Sequence, residues 1–96
     1  MQTKTKKEIR IQLETISGPK ISRSEAREAL RDTEDFGAII FDFDNVPVVG
    51  QDFADEIYRV FQNKHPDIEI KEDNMAGGVR FMVERARNEA KIEKYL

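Results

Sequence analysis

The chain contains no cysteine, no tryptophan and one histidine, and only eight of its 96 residues are glycine or proline. Without cysteine there are no disulfides, no thiolate metal sites and no cysteine nucleophile. With His65 as the only histidine, no histidine pair and no histidine-based triad can form. No stretch approaches the roughly 20 apolar residues that cross a bilayer. The basic start, Met1-Gln-Thr-Lys-Thr-Lys-Lys7, is not followed by the apolar run of a secretory signal. A cytoplasmic protein without membrane contact is the expectation. Serine and threonine are also missing from Asn45 to Leu96, which leaves that half of the chain without an aliphatic hydroxyl to phosphorylate.

What is present is the composition of one folded domain, 39% hydrophobic and 36% charged. A chain of this length buries one modest core, with little room for a deep substrate cavity. The net charge of −3 and the dispersed basic residues argue against nucleic acid as the main ligand. Residues 1–7 read as a basic tail, 8–90 as a single domain, and 91–96 as the fraying end of a helix. There, Ile92, Tyr95 and Leu96 fall partly off the apolar stripe and leave a partner or homodimer contact open.

Hydrophobic periodicity orders the domain. Ile9, Ile11 and Leu13 alternate with Glu8, Arg10, Gln12 and Glu14, the period of a strand with one wet face. Gly18-Pro19 breaks it. Ser22 with Glu25 three residues on forms a capping box that opens a helix carrying Ala26, Ala29 and Leu30. After Gly37, Ala38 to Phe43 is the most apolar segment and is placed as the central strand. Asn45 to Gly50 forms a loop. A helix from about Asp52 to Asn63 bears Phe53, Ile57, Val60 and Phe61 inward, with Tyr58 and Arg59 on its flank. His65-Pro66 stops it. Asp67 to Lys71 alternates again, with Ile68 and Ile70 inward, and a last helix from about Gly78 carries Val79, Met82, Val83, Ala86 and Ala90. Strand-helix three times implies a parallel sheet. Because the first and third strands have polar faces, all helices are expected on one side.

Asp42 and Asp44, after an apolar strand, resemble the first motif of haloacid-dehalogenase-like phosphatases. There the spacing brings a nucleophile and a general acid/base to one phosphoryl group beside Mg²⁺. The Gly-Thr that usually follows is Asn45-Val46 here, and Asp67 to Asn74 supplies no Ser or Thr. An Mg-dependent phosphatase is therefore a minor alternative; the plainer reading has the two aspartates at a strand end, facing solvent or capping a turn. Gly77-Gly78 reads as an ordinary flexible turn, lacking the Lys-Ser or Lys-Thr of a phosphate loop.

A longer resemblance runs from Ile9 to about Arg87. Its most specific stretch is Phe41-Asp-Phe-Asp-Asn-Val-Pro-Val-Val-Gly-Gln-Asp-Phe-Ala-Asp-Glu-Ile-Tyr-Arg-Val-Phe61, followed by His65-Pro66. Ile21-Ser-Arg-Ser-Glu-Ala-Arg27 lies upstream, and Asn74, Val79, Met82, Arg85 and Ala86 lie downstream. On these residues the chain resembles the STAS-like domains of unknown function, short bacterial relatives of anti-sigma factor antagonists. The resemblance implies an α/β strand-helix superhelix of about three parallel strands with helices on one face. It also implies a non-catalytic interaction module without cofactor or metal, whose partner is a protein such as a histidine-kinase-type ATPase or another regulator.

In those antagonists the loop entering the second helix carries an acidic residue and a phosphorylatable serine. Gly50, Gln51 and Asp52 stand there in this chain, so the phosphoswitch does not carry over. Asp52 supplies a permanent carboxylate, short of a phosphoserine's charge; its plainer role is an N-cap or first-turn residue, with Asp55 and Glu56 adding charge at the positive helix end. Gly50 is expected to permit a tight loop. The partner-binding residues are expected to be Gly50, Gln51, Asp52, Asp55, Glu56 and Arg59, with Gln51, Asp52, Asp55 and Glu56 forming an exposed acidic patch. Nucleotide or small-ligand binding at the same loop is the other alternative.

Overall fold

The fold is described from a computed structural model, which defines residues 7–13 and 22–94. The basic tail before Lys7, the Gly18-Pro19 break and the terminal Tyr95 and Leu96 lie outside the described residues. Three strands, β1 (Glu8–Gln12), β2 (Ala38–Asp42) and β3 (Glu69–Asp73), pair in parallel in the order β1-β2-β3. Their helices are α1 (Arg23–Ala29), α2 (residues 51–64) and α3 (Gly77–Lys94). Among the described residues no helix is long and apolar enough to cross a membrane.

The register aligns Ile9, Ile39 and Ile70 in one row and Ile11, Phe41 and Glu72 two residues further on, all on one face of the sheet. Against this face pack Ala26 and Leu30 of α1, Phe53, Ile57 and Phe61 of α2, and Val79, Val83 and Ala86 of α3. The sides chosen by the 3.6-residue period are the sides that are buried. α2 lies between α1 and α3.

The other face is wet, as the alternation in β1 and β3 requires. It carries Glu8, Arg10 and Gln12 from β1, Ala38, Ile40 and Asp42 from β2, and Glu69, Lys71 and Asp73 from β3. Lys71 reaches across the central strand to Glu8 at 2.7 Å, and Arg10 reaches Asp42 at 3.2 Å and Asp73 at 2.8 Å. These pairs use long side chains to cover a surface that no described helix covers. A helix on that face would bury five or more charges, so the one-sided arrangement follows from the cost of desolvating them.

Most element ends agree with the periodicity, although the third strand, expected from Asp67 to Lys71, runs two residues later as Glu69–Asp73. Ser22 precedes α1, and its N–H and hydroxyl both donate to the Glu25 carboxylate at 2.7 Å. Those bonds hold the Glu25 carboxyl below its usual range. His65 ends α2 before Pro66.

Two further details of the elements differ from expectation. α2 is not a uniform α-helix: Gln51–Asp55 and Gln62–Lys64 are α-helical, and Glu56–Phe61 form a π-helical turn. The Gly77-Gly78 pair is not a free turn either, for it opens α3. A Cβ on Gly78 would stand 3.0 Å from the Pro47 carbonyl oxygen, whereas one on Gly77 would meet nothing within 4 Å. Gly78 is thus the point where the β2–α2 loop rests on the first turn of α3.

Candidate functional site

Parallel strands with helical returns bring the β2–α2 loop, the β3–α3 turn and the start of α2 to one end of the sheet, beyond the carboxyl ends of β2 and β3. Ligand sites of α/β proteins collect at that end.

The residues singled out in the sequence separate into distinct environments there. Gly50 is the N-cap of α2, with φ −75° and ψ 158°. That is ordinary extended backbone, so the loop does not require glycine for its conformation, contrary to the expected role. Gln51 and Asp52 form the first turn and are exposed, Asp52 with 73% of its side chain accessible. Asp52 lies inside the helix rather than at its cap, where its charge faces the positive end of the peptide dipoles.

Asp55 and Glu56 do not belong to an exposed patch. The Asp55 side chain is 21% accessible and that of Glu56 10%, and a cation network from α1 accounts for the difference. Arg23 donates to Glu56 at 2.7 Å, to Asp55 at 3.1 Å and to Asp52 at 3.4 Å. Arg27 stands 3.5 Å from the second Glu56 oxygen, and Arg59 donates to both oxygens of Asp55 at 2.6 and 2.9 Å. The expected exposed acidic patch is therefore corrected to a polar surface of Gln51 and Asp52, with one carboxylate, and Glu56 is an internal anchor for α1. The bonds from Arg59, and secondarily those from Arg23, hold the Asp55 carboxyl below its ordinary range. Those to Glu56 and Asp55 raise the Arg23 guanidinium further.

The π-helical turn explains how Glu56 comes to be covered. Its extra residue widens the turn, so Glu56, Ile57 and Tyr58 are all buried in succession. Glu56 faces α1 while Tyr58 faces β3 and α3. Tyr58, expected on the helix flank, is 3% exposed. Its hydroxyl donates to Glu72 at 2.7 Å, and the Arg87 guanidinium sits 4.9 Å from its ring centroid while donating to the same carboxylate at 2.6 Å. Burial first, and the Glu72 charge second, push the Tyr58 hydroxyl far above its ordinary pKa.

Asp42 and Asp44 also part company. Asp44 is exposed, whereas Asp42 is 9% exposed and fully engaged. One Asp42 oxygen accepts from the Asn74 amide at 2.9 Å and the Asp44 N–H at 3.0 Å, and the other from Arg10 at 3.2 Å. The Asn74 bond, then the Asp44 N–H, then Arg10 hold its carboxyl below the ordinary range. Asp42 thereby ties β1, β2 and the β3–α3 turn together. An oxygen set already filled by a guanidinium, an amide and a backbone N–H is a poor fit for Mg²⁺, and among the described residues no group of three His, Asp or Glu could hold a metal ion.

Beside Asp42 a groove of about 580 Å³ lies between the loop and the turn, lined by Phe43, Asn45, Val46, Pro47, Asn74, Met75 and Ala76. Asn45 and Asn74 both take left-handed backbone, at φ 64° and 60°, a region that asparagine tolerates better than most residues. Arg23, Arg10 and the two asparagines carry no site role in the sequence pattern, although Asn74 falls within the family resemblance and Asn45 opens the loop. Arg23 lies 29–33 positions from its partners, and no local spacing reveals such a pair. The asparagines could have been noticed as turn formers directly after each strand.

A one-sided three-stranded α/β domain with its polar loops at one end is the class that these features define. The chain belongs to the family of STAS-like domains of unknown function, whose family model matches residues 25–77, from the start of α1 to the start of α3. No curated protein and no solved structure matches the chain.

Proposed function

We propose that this chain is a non-catalytic regulatory module of the bacterial cytoplasm that binds a protein partner through the β2–α2 loop and the first turn of α2. The observation that carries the reading is the division of labour at that turn. Arg23 and Arg59 hold Asp55, and Arg23 and Arg27 face Glu56, so the helix start is fixed while Gln51 and Asp52 project from it into solvent. A rigid support beneath exposed polar groups lowers the ordering cost of association. Gly50, Asp55, Glu56 and Arg59 serve the surface by positioning it, and Gln51 and Asp52 make the contacts. With no serine or threonine after Asn45, binding is constitutive rather than switched at this loop. A histidine-kinase-type ATPase or another regulator remains the partner class suggested by resemblance to anti-sigma factor antagonists. The engagement of Asp42 with Arg10 and Asn74 supports the non-catalytic side of the reading, since a nucleophile needs an accessible oxygen.

The test is affinity capture from the native cell with the wild type, Gln51→Arg and Asp52→Ala. Gln51→Arg removes no bond of the fold, and its cation in the first turn costs no more than about 0.3–1 kcal/mol. Asp52→Ala costs about 0.3–1 kcal/mol of stability through the lost charge–dipole interaction. Both lose the captured partner on this reading; retention at wild-type affinity by Gln51→Arg sinks it.

The groove between Asn45 and Ala76 favours a second reading, a small-ligand site at the same end of the sheet. Its volume is within the range of small-molecule sites. Amide shifts of Asn45, Asn74 and Ala76 during titration with ATP or ADP would support it, and unmoved amides would remove it.

A further inference from the structure

On α3, Val79, Val83 and Ala86 turn toward the core, and the opposite side of the helix carries Phe81, Arg85, Asn88 and Ile92. Phe81 and Ile92 are 61% and 62% exposed, the two large hydrophobic side chains left in solvent among the described residues. Their spacing with Arg85 and Asn88 is four, three and four residues, the seam of a coiled coil. A shallow groove of about 300 Å³ runs along it, edged by Glu84 and Glu89.

We propose that this seam is the interface of a homodimer in which α3 packs antiparallel on α3 of a second copy about a two-fold axis. The pattern is self-complementary in that direction. Antiparallel layers place Phe81 against Ile92 of the second copy, Arg85 against its Asn88, and the same pairs again in reverse. The four-carbon and aromatic side chains close both ends of the seam. In its middle the Arg85 guanidinium, whose Nε already donates to Glu89 at 3.3 Å, has further N–H groups for the Asn88 amide oxygen. On the flank, Glu84 meets Lys91 of the second copy, and symmetry repeats the pair.

The parallel alternative fails on charge. It would set Arg85 against Arg85 and Glu84 against Glu89, like charges at the centre and along both flanks, which are repulsive at such distances. The choice of direction therefore follows from the same residues that make the seam.

The seam lies on the outer side of α3, away from the first turn of α2, so its test and the capture test above fail independently. From Phe81 to Ile92 it spans about 16 Å, a small interface, so association is expected to be weak, with a dissociation constant of about 10–100 µM.

Sedimentation equilibrium over concentrations from about 5 to 500 µM reads this directly. The wild type is expected to dimerise. Phe81→Ser, which changes an exposed residue and leaves the circular dichroism of the monomer intact, is expected to weaken the dimer about 100-fold, because each interface loses two aromatic anchors. Glu84→Lys opposes Lys91 twice and weakens the dimer about tenfold, and Glu84→Lys with Lys91→Glu restores it. A monomeric wild type throughout the range, or a dimer indifferent to Phe81→Ser, overturns the proposal. Tightening by Glu84→Lys alone overturns the antiparallel geometry, since that change would relieve only the parallel clash with Glu89.

Discussion

Replacing Arg23 by alanine tests the central electrostatic claim, that Glu56 is tolerable in the interior only because α1 brings a guanidinium to it. The three partners lose unequal amounts. Asp52 is 73% accessible and 3.4 Å away, and an exposed pair of that kind contributes close to nothing. Asp55 keeps its two bonds to Arg59 at 2.6 and 2.9 Å, so its loss is about 0.5 kcal/mol. Glu56 loses its 2.7 Å bond with only 10% of its side chain accessible, and keeps Arg27 at 3.5 Å. Stranding a fully buried charge costs about 3–5 kcal/mol; the residual Arg27 contact and the 30% accessibility of Arg23 reduce this to about 1.5–2 kcal/mol. Arg23→Ala should therefore destabilise by about 2 kcal/mol, roughly 8–16 °C in melting temperature for a domain of this size. The informative assay is a double-mutant cycle by urea unfolding. Glu56→Gln removes the charge that Arg23 compensates, so Arg23→Ala combined with Glu56→Gln should recover about 1 kcal/mol relative to the sum of the single changes. Strict additivity would refute the reasoning, because it would mean that Glu56 does not depend on Arg23.

Two other expectations follow from the same structure. Gly77→Ala should stabilise the chain by about 0.5–1 kcal/mol by raising helix propensity where there is open space, whereas Gly78→Ala should fall at least about 1 kcal/mol below it because its Cβ would press on the Pro47 carbonyl; equal melting temperatures for the two variants would show that the loop does not rest on Gly78. Asp42 and Asp55 have folded-state pKa values below their unfolded ones, so their stabilisation is fully present above the unfolded value near 3.9 and is lost as pH falls through the folded values; urea midpoints measured from pH 7 down to about 3 should decline less steeply in Asp55→Asn than in wild type, and parallel curves would contradict this.

Most of the fold was legible because its causes are local. The alternation of Ile9 and Ile11 with Glu8, Arg10 and Gln12 specifies a half-wet strand, Ser22 with Glu25 specifies a helix start, and His65-Pro66 specifies a stop. The one-sided sheet follows from the polar faces of β1 and β3, since no arrangement with helices on both sides leaves Arg10, Lys71 and Asp73 solvated. The candidate site was only half legible, because its arrangement depends on contacts far apart in sequence. Asp52, Asp55 and Glu56 look alike as three carboxylates at a helix start. What distinguishes them is how closely Arg23 approaches each and how far each is covered, from the exposed Asp52 to the buried Glu56, and that depends on how α1 crosses α2.

The π-helical turn connects these two observations. An uninterrupted α-helix through Gln51–Lys64 would keep a buried arc set by Phe53, Ile57 and Phe61, with Glu56 and Tyr58 near its margins. Widening the turn at Glu56–Phe61 buries both margins at once, which no periodicity of apolar residues can announce because one of the two is a carboxylate. The wide turn weakens local hydrogen-bond geometry, and such turns recur at functional sites for the side chains they re-aim. Here the re-aimed pair, Glu56 toward Arg23 and Tyr58 toward Glu72 and Arg87, clamps α2 to α1 on one side and to β3 and α3 on the other. The first turn of α2 is thus braced from both flanks directly below Gln51 and Asp52, the two exposed residues proposed above as the contact surface.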